Sequence, residues 1–278
     1  MNLLLIRGLG HSGTTILDLA LGAHPAITGL GEAIRILQKP VAGEQQRGPA
    51  QLRGELRHDR CCTCGKIAAA CPVWGPMLEW LPANDDNPLV NKIERLVETV
   101  EASTKSGQIK WLVDSYQADI SGQTLSWQGG EIRTVFLVRD VRSWVHSRSH
   151  KRDRPAAAWR ALARWVRENR KMEARLKLSG HPFFVLGYEE LALAPEASLR
   201  RLCAWLDLPF DEAMCTPGVS SGSHILVGNR VRFDSERVAS IHYDGTWLGQ
   251  ASTGVGIVAQ MPPVRTMNQR LVYGNRLI

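Results

Sequence analysis

The chain begins with a short apolar run that leads directly into a loop containing three glycines. The run covers residues 3–6, and Gly8, Gly10 and Gly13 follow it. From Thr14 onward the sequence has the composition of a helix. A buried strand, a tight loop and a helix in this order are typical of the first unit of an α/β fold. This segment therefore restricts the fold class more than any other part of the sequence.

Further apolar runs predict strands at intervals along the chain, and helical segments separate them. These runs are residues 26–30, 109–113, 132–138 and 183–186. The alternation predicts a doubly wound parallel sheet flanked by helices. Polar residues follow each predicted strand, namely the glycine loop, Glu32, Asp114-Ser115, Arg139-Asp140 and Tyr188-Glu189. Because parallel strands end at one edge of a sheet, where ligands bind, we expect the functional site at that edge.

The length and the patterning of the chain predict one domain. Its 278 residues, 44% of them apolar, are enough for one large core, and no linker rich in Pro, Gly or Ser divides them. We expect a single domain over residues 1–278, with a cysteine-containing insert near 58–75 and an irregular C-terminal extension over 213–278. The first residues lack a signal peptide's basic region, and no run reaches the roughly 18 apolar residues of a membrane helix. A cytoplasmic protein that does not bind membranes is the expectation.

The glycine loop, residues 8–15, has the G-x4-G spacing of a phosphate-binding P-loop. Backbone N–H groups of such a loop bind phosphate oxygens, and the hydroxyls of Thr14 and Thr15 add donors. Thr14 stands where a nucleoside triphosphatase carries the lysine that bridges the β- and γ-phosphates. The loop is therefore better suited to a 5'-phosphate than to a triphosphate, and a structural turn is the alternative.

A second anion-binding element follows the strand predicted at 132–138. Arg139 comes directly after that strand, and Ser147 lies eight residues later, about two helical turns along the next helix. Both side chains can then bind one phosphate. The run from Arg139 to Arg154 carries six Lys or Arg against two Asp within a chain of net charge +7. A solvated basic helix face and a nucleic-acid-binding surface are the alternatives for this run.

Together, the glycine loop and the Arg139–Ser147 spacing resemble those of the sulfotransferases that use 3'-phosphoadenosine 5'-phosphosulfate (PAPS). The resemblance implies a P-loop-like sulfotransferase fold and places the donor's 3'-phosphate at Arg139 and Ser147. In that family the corresponding loop residues bind the 5'-phosphosulfate; here they are His11, Ser12, Gly13, Thr14 and Thr15. The resemblance continues through residues 188–191 and a helix at 195–208. A late segment, 224–233, is similar to one that returns towards the nucleotide in bacterial members, which implies a donor contact for Arg232.

The resemblance also implies candidates for the chemistry. Glu32 matches the Gly-Glu at which the tyrosylprotein-type members place their base, and a first-turn helix residue stabilised by the helix dipole is the alternative. Arg35 can pair with Glu32 or bind an anionic acceptor. His11 stands where the family commonly has Lys or Arg, and protonated His11 can donate to the donor's bridging oxygen. Asp114 and Ser115, which Gln117 follows where the family has Lys, are expected at the acceptor side, or else as a helix cap.

Four of the six cysteines, Cys61, Cys62, Cys64 and Cys71, lie close together in the sequence. Their spacing does not match a standard zinc pattern, and a reducing compartment disfavours disulfides. We favour a structural insert near the acceptor entrance and expect no metal, with metal binding as the alternative. The sequence thus predicts an enzyme that transfers a sulfuryl group from PAPS to a hydroxyl or amine of a small molecule, carbohydrate or peptide. A P-loop kinase or nucleoside triphosphatase, or a basic nucleic-acid-binding protein, is the alternative, although no nucleic-acid motif is present.

Overall fold

The computed structural model describes residues 1–40, 52–53, 60–104, 109–116, 127–149, 155–250 and 253–277. Within these residues one parallel sheet has the strand order β2-β3-β1-β4-β5. The strands are β1 (Asn2–Arg7), β2 (Ile27–Gly29), β3 (Trp111–Asp114), β4 (Ile132–Val138) and β5 (Phe183–Gly187). The predicted parallel sheet is confirmed, with each strand boundary within two residues of its predicted position.

Helices cover both faces of the sheet. They are α1 (Thr14–Gly22), α2 (Ala33–Leu37), α3 (Trp74–Trp80), α4 (Leu89–Ser103), α5 (Val141–Ser149), α6 (Pro155–Ser179), α7 (Tyr188–Leu193), α8 (Pro195–Trp205), α9 (Pro217–Ser220), α10 (Ser235–Val238), α11 (Thr253–Ala259) and α12 (Pro262–Val272). In β1, Leu3 and Leu5 pack against α2, α3 and α4, whereas Leu4 and Ile6 pack against α1 and α8. Because both faces are covered, the strand is a continuous apolar run rather than an alternating one.

The C-terminal segment is more regular than the sequence indicated. Up to residue 250 it consists of loops and short helical turns, but α11 and α12 follow, and the prediction of an irregular extension is wrong for these two helices. Met267, Leu271 and Val272 of α12 are buried in the core cluster that contains Phe136 and Val138 of β4. Two glycines in α11 and few apolar residues in α12 weaken the helical pattern, which explains why packing rather than propensity determines these helices.

The described part of the cysteine insert, residues 60–75, is compact and tied to the main core. Cys61 forms an isolated antiparallel bridge with Ile67, and a short helical turn spans Ala68–Ala70. The buried residues Cys62, Cys71 and Trp74 belong to the same core cluster as β1 and α2. Among the described residues no helix is both long and apolar enough to span a lipid bilayer.

Candidate active site

A cleft of about 1370 Å³ lies at the carboxyl edge of the sheet. The glycine loop, Glu32, Arg139 and residues of α5 form one side, and residues 227–231 and 242–246 form the other. Seven arginines line this cleft against two carboxylates, those of Glu32 and Asp244. Such an excess of positive charge attracts anionic ligands. A smaller cleft of about 640 Å³ lies at the amino ends of β4 and β5, where Arg133 is paired with Glu131 and Asp207.

The glycines of the loop are required by close contacts. Gly13 has a φ of +91°, and a Cβ there would lie 2.5 Å from the ring of Tyr188. At Gly8, a Cβ would lie 2.3 Å from the carbonyl oxygen of Leu137 in β4. The loop therefore packs directly on its neighbours, and no side chain caps α1 at Gly13. The N-terminus of α1, with its partial positive charge, borders the cleft at Thr14.

Arg139 is buried at the end of β4, and four groups position its guanidinium. Nε donates to Ser143 Oγ at 2.6 Å, and Nη1 donates to the backbone oxygen of His11 at 3.2 Å. Nη2 forms an ion pair with Asp244 Oδ2 at 3.1 Å. The guanidinium also lies over the ring of Tyr188, 4.7 Å from its centroid. Arg139 is thus a rigidly held cation at the wall of the cleft.

His11 connects the two predicted phosphate-binding elements. Its backbone oxygen accepts from Arg139, and its Nδ1 lies 3.2 Å from Ser147 Oγ. Its Nε2 lies 3.3 Å from Nη1 of Arg148, which brings to the loop a fixed cation that the loop sequence lacks. Since an arginine only donates hydrogen bonds, Nε2 is the acceptor, and Nδ1–H donates to Ser147. His11 holds this position with a φ of +76°, an uncommon conformation for a residue with a Cβ.

The predicted phosphate ligands lie together with one exception. The residues that line the cleft are His11, Gly13, Thr14, Thr15, Arg139 and Ser147. Ser12 is buried beneath the loop, where its N–H donates to the carbonyl oxygen of Leu9 at 3.1 Å.

Glu32 and Arg35 line the cleft and pair with each other. Glu32 immediately precedes α2, and its Oε2 accepts from Arg35 Nη1 at 2.8 Å. The Glu32 side chain keeps 18% of its surface accessible. Its backbone N–H donates to the carbonyl oxygen of Val227 at 3.1 Å, which ties this carboxylate to the opposite wall. A carboxylate with a defined partner and an open face can accept a proton from a bound ligand.

Asp114 and Ser115 do not line the cleft, so the expectation that they face the acceptor is wrong. Asp114 accepts from Arg7 Nη1 at 2.9 Å and, through Oδ1, from the backbone N–H of Ile34 at 2.8 Å. Ser115 donates to Asp18 Oδ2 at 2.6 Å. Asp114 caps the N-terminus of α2, so the helix-cap alternative describes it, and it positions Glu32 indirectly. Gln117 lies outside the described residues.

The structure also places Arg232 away from the cleft. Its guanidinium donates to the carbonyl oxygens of Leu226, Gly228 and Asn229 at 2.8 to 3.0 Å. Burial lowers the pKa of Arg232 to about 10. Arg232 therefore stabilises the loop at 226–229, while its neighbour Arg230 lines the cleft. The expected donor contact of Arg232 is not made in this conformation.

Two buried carboxyl groups support the backbone beneath the cleft. Asp18 accepts from the N–H of Gly31 at 3.1 Å, and burial raises its pKa to about 7. Glu189 accepts from the N–H of Asp140 at 2.9 Å, and burial, with the nearby charge of Asp140, raises its pKa to about 8. These carboxyls hold the residues next to Glu32 and Arg139.

Several residues of the cleft carried no sequence signal. Arg148, Arg164, Arg230, Arg237 and Asp244 reach it from helices or from the C-terminal segment. Their positions depend on the tertiary packing of segments far apart in the chain. Only Arg148 lay within the basic run that the sequence analysis singled out.

Comparisons with known proteins agree with this geometry. The model of the Sulfotransferase family matches residues 131–212, which include β4, Arg139 and Ser147. A protein-tyrosine sulfotransferase A of Caenorhabditis elegans is 34% identical over 88 residues, which are 31% of this chain and 23% of that protein. The chain thus spans about a quarter of that relative's length.

Two solved structures share the fold along nearly the whole chain. The sulfotransferase domain of the Synechococcus PCC 7002 olefin synthase has a TM-score of 0.51 at 16% identity, covering 99% of this chain and 94% of its own. The sulfotransferase domain from the curacin biosynthetic pathway has a TM-score of 0.55 at 15% identity, covering 98% and 96%. The predicted P-loop-like sulfotransferase fold is confirmed.

Proposed function

The chain belongs to the sulfotransferase family, and we propose that it transfers the sulfuryl group of PAPS to a hydroxyl or amine, releasing adenosine 3',5'-bisphosphate. The observation that carries this proposal is the position of two anion-binding elements in one cleft. The N-terminus of α1 and the Arg139–Ser147 pair both border it, and His11 connects them. A nucleotide with phosphates at both its 5' and 3' positions fits such a pair.

In the proposed donor complex, the glycine loop binds the 5'-phosphosulfate. The backbone of Gly13 and the hydroxyls of Thr14 and Thr15 donate to its oxygens. Arg139 and Ser147 bind the 3'-phosphate. Asp244 now pairs with Arg139, so the phosphate takes its place or binds beside it.

The proposed reaction is an in-line transfer. The acceptor oxygen or nitrogen forms a bond to sulfur while the bond from sulfur to the bridging oxygen of PAPS breaks. Glu32 accepts the acceptor's proton, and the electron pair of the broken bond stays on the bisphosphate. His11, the N-terminus of α1 and Arg148 stabilise the developing charge on that leaving group.

The acceptor class follows from the relative rather than from this cleft. Since a protein-tyrosine sulfotransferase matches part of the chain, a tyrosine hydroxyl within a peptide is the acceptor to test first. Arg35, which pairs with Glu32 and also lies 5.9 Å from the ring centroid of Tyr116, is proposed to orient the acceptor beside the base.

Transfer of radioactive sulfate from PAPS tests the proposal. The purified protein is incubated with labelled donor and a panel of tyrosine peptides, phenols, saccharides and amines. We expect a labelled product and an equal amount of adenosine 3',5'-bisphosphate for at least one acceptor class. Absence of any transfer across the panel, together with hydrolysis of ATP, would favour the alternative of a nucleoside triphosphatase.

A further inference from the structure

Four potential metal ligands meet outside the cleft. Cys62, Cys64 and Cys71 come from the cysteine insert, and His224 comes from a segment more than 150 residues later. Their ligand atoms all lie within 4.8 Å of one another. Cys62 and Cys71 are buried, and the other two are half-buried. None of the four lines the cleft, so the proposed reaction does not account for this group.

The distances within the group correspond to the edges of a tetrahedron. Cys71 Sγ lies 3.7 Å from Cys62 Sγ and 3.8 Å from Cys64 Sγ. His224 Nδ1 lies 3.3 Å from Cys71 Sγ and 4.0 Å from Cys62 Sγ. In a tetrahedral zinc site, bonds of about 2.3 Å to sulfur and about 2.0 Å to nitrogen separate the ligand atoms by about 3.5 to 3.8 Å. The observed separations average within this range.

The local backbone is shaped to present these ligands. Gly65 N–H donates to the carbonyl oxygen of Cys62 at 2.9 Å, and Gly65 has a φ of +83°, so a tight turn brings Cys62 and Cys64 to one side. The N–H of Trp74 donates to Cys71 Sγ at 3.5 Å. An amide hydrogen bond of this kind stabilises a thiolate ligand.

His224 is brought to the cysteines by a separate set of bonds. The hydroxyl of Thr63 donates to the carbonyl oxygen of Ser223 at 2.6 Å, and the N–H of Ile225 donates to that hydroxyl at 2.9 Å. These bonds hold the residues on both sides of His224 against the turn. The imidazole is therefore held next to the three thiols by its own backbone.

We propose that Cys62, Cys64, Cys71 and His224 bind one Zn²⁺ ion in a structural site. Four protein ligands complete the tetrahedron and leave no position for substrate, as in structural rather than catalytic zinc sites. This replaces the expectation of no metal, which rested on the cysteine spacing alone and did not include His224.

The zinc ion stabilises one wall of the cleft. It joins the cysteine insert to the segment that begins at Ser223, and this segment continues to Val227, whose carbonyl oxygen accepts from the N–H of Glu32. Residues 227–231 then line the cleft. Because metal binding is coupled to folding in such sites, removal of zinc loosens this wall and lowers the stability of the protein.

Metal analysis of the full chain tests the site directly and does not depend on sulfotransferase activity. Wild type, Cys64→Ser and His224→Ala are purified without chelator, and zinc is measured by mass spectrometry of the elements. Cys61→Ser is the matched control, because Cys61 is exposed, adjoins Cys62 and lies outside the group. We expect one zinc ion per chain in the wild type and the control, and its loss in the two ligand variants.

A cobalt spectrum of the wild type covers the case in which the ligand variants do not fold. The zinc is exchanged for Co²⁺, and a tetrahedral cobalt site with three thiolates should give intense visible bands and a sulfur-to-metal charge-transfer band. An octahedral cobalt spectrum overturns the proposal, as does equal zinc loss in Cys61→Ser. A wild type that takes up no zinc and whose thiol titration reveals a disulfide among Cys62, Cys64 and Cys71 overturns it as well.

Discussion

The two walls of the cleft are built in different ways. The donor wall consists of the glycine loop and the Arg139–Ser147 pair, and both follow directly from strands of the sheet. The opposite wall consists of residues 227–231 and 242–246, which lie in loops and short helical turns between α9 and α11. The donor wall is rigid because the sheet fixes it. The opposite wall depends on cross-chain bonds such as those of Glu32 with Val227 and Arg139 with Asp244.

If the walls have separate roles, Glu32→Gln should abolish most turnover without weakening the donor. We expect a fall in turnover of about 100-fold or more, as for loss of a general base, with an unchanged dissociation constant for adenosine 3',5'-bisphosphate. Steady-state kinetics with labelled PAPS and calorimetry measure the two quantities. Glu79→Gln, on the exposed surface of α3, is the control. Wild-type turnover in Glu32→Gln would exclude Glu32 as the base.

The opposite result is expected when the donor wall is changed. Arg139→Ala should weaken adenosine 3',5'-bisphosphate binding by about 1.5 to 3 kcal/mol, or roughly 10- to 150-fold, through the loss of charge-assisted hydrogen bonds. Adenosine 5'-monophosphate, which lacks the 3'-phosphate, should bind almost as before. Arg167→Ala, which removes an exposed arginine of α6, is the control in calorimetric titrations. Equal loss for both nucleotides would indicate that Arg139 does not bind the 3'-phosphate.

His11 tests whether the donor wall acts in the chemical step as well as in binding. If protonated His11 stabilises the leaving group, turnover at saturating donor falls as pH rises through the pKa that His11 has in the donor complex. Deprotonation of Glu32 supplies the acid limb, so the profile is bell-shaped. Lys at this position should move the alkaline limb upward by more than about one pH unit, and Ala should lower turnover throughout.

All three residues at position 11 must adopt the same left-handed backbone, so strain is matched in this series. The measurement is the pH dependence of turnover for wild type, His11→Lys and His11→Ala. Superimposable alkaline limbs would remove His11 from the mechanism and leave Arg148 and the N-terminus of α1 in its place.

The smallest expected effect concerns the one ion pair that joins the walls. Asp244 pairs with Arg139, and its side chain is 42% exposed. Asp244→Asn should therefore tighten adenosine 3',5'-bisphosphate binding about two- to fivefold, as expected for removing a partly exposed competing carboxylate. Asp207→Asn, which removes the carboxylate paired with Arg133 in the smaller cleft, is the control for net charge. Weaker binding in Asp244→Asn would mean that Asp244 positions Arg139 for the ligand.

The donor wall could be predicted from sequence because its residues lie at short, fixed distances from strands. Gly13 must have a positive φ, and Arg139 must follow β4, so both leave a local pattern. The opposite wall leaves none. Asp244 and His224 reach their partners only through tertiary contacts.

The same reasoning explains the wrong expectations. Asp114 and Ser115 do follow a strand, but the buried Arg7 and Asp18 turn their side chains away from the cleft. The position of a residue at a strand end predicted proximity to the site and could not predict which partner its side chain would choose. Arg232 failed for a related reason, since carbonyl groups of its own loop bind its guanidinium.

The most direct test of the two-phosphate cleft is calorimetric titration of the wild type with three nucleotides at one salt concentration. The account predicts that adenosine 3',5'-bisphosphate binds at least about tenfold more tightly than adenosine 5'-monophosphate, because Arg139 and Ser147 bind its additional phosphate. ATP, which offers no 3'-phosphate and meets Thr14 instead of a P-loop lysine, should bind more weakly than the bisphosphate. Equal affinity for the bisphosphate and the monophosphate, or tighter binding of ATP, would contradict the account.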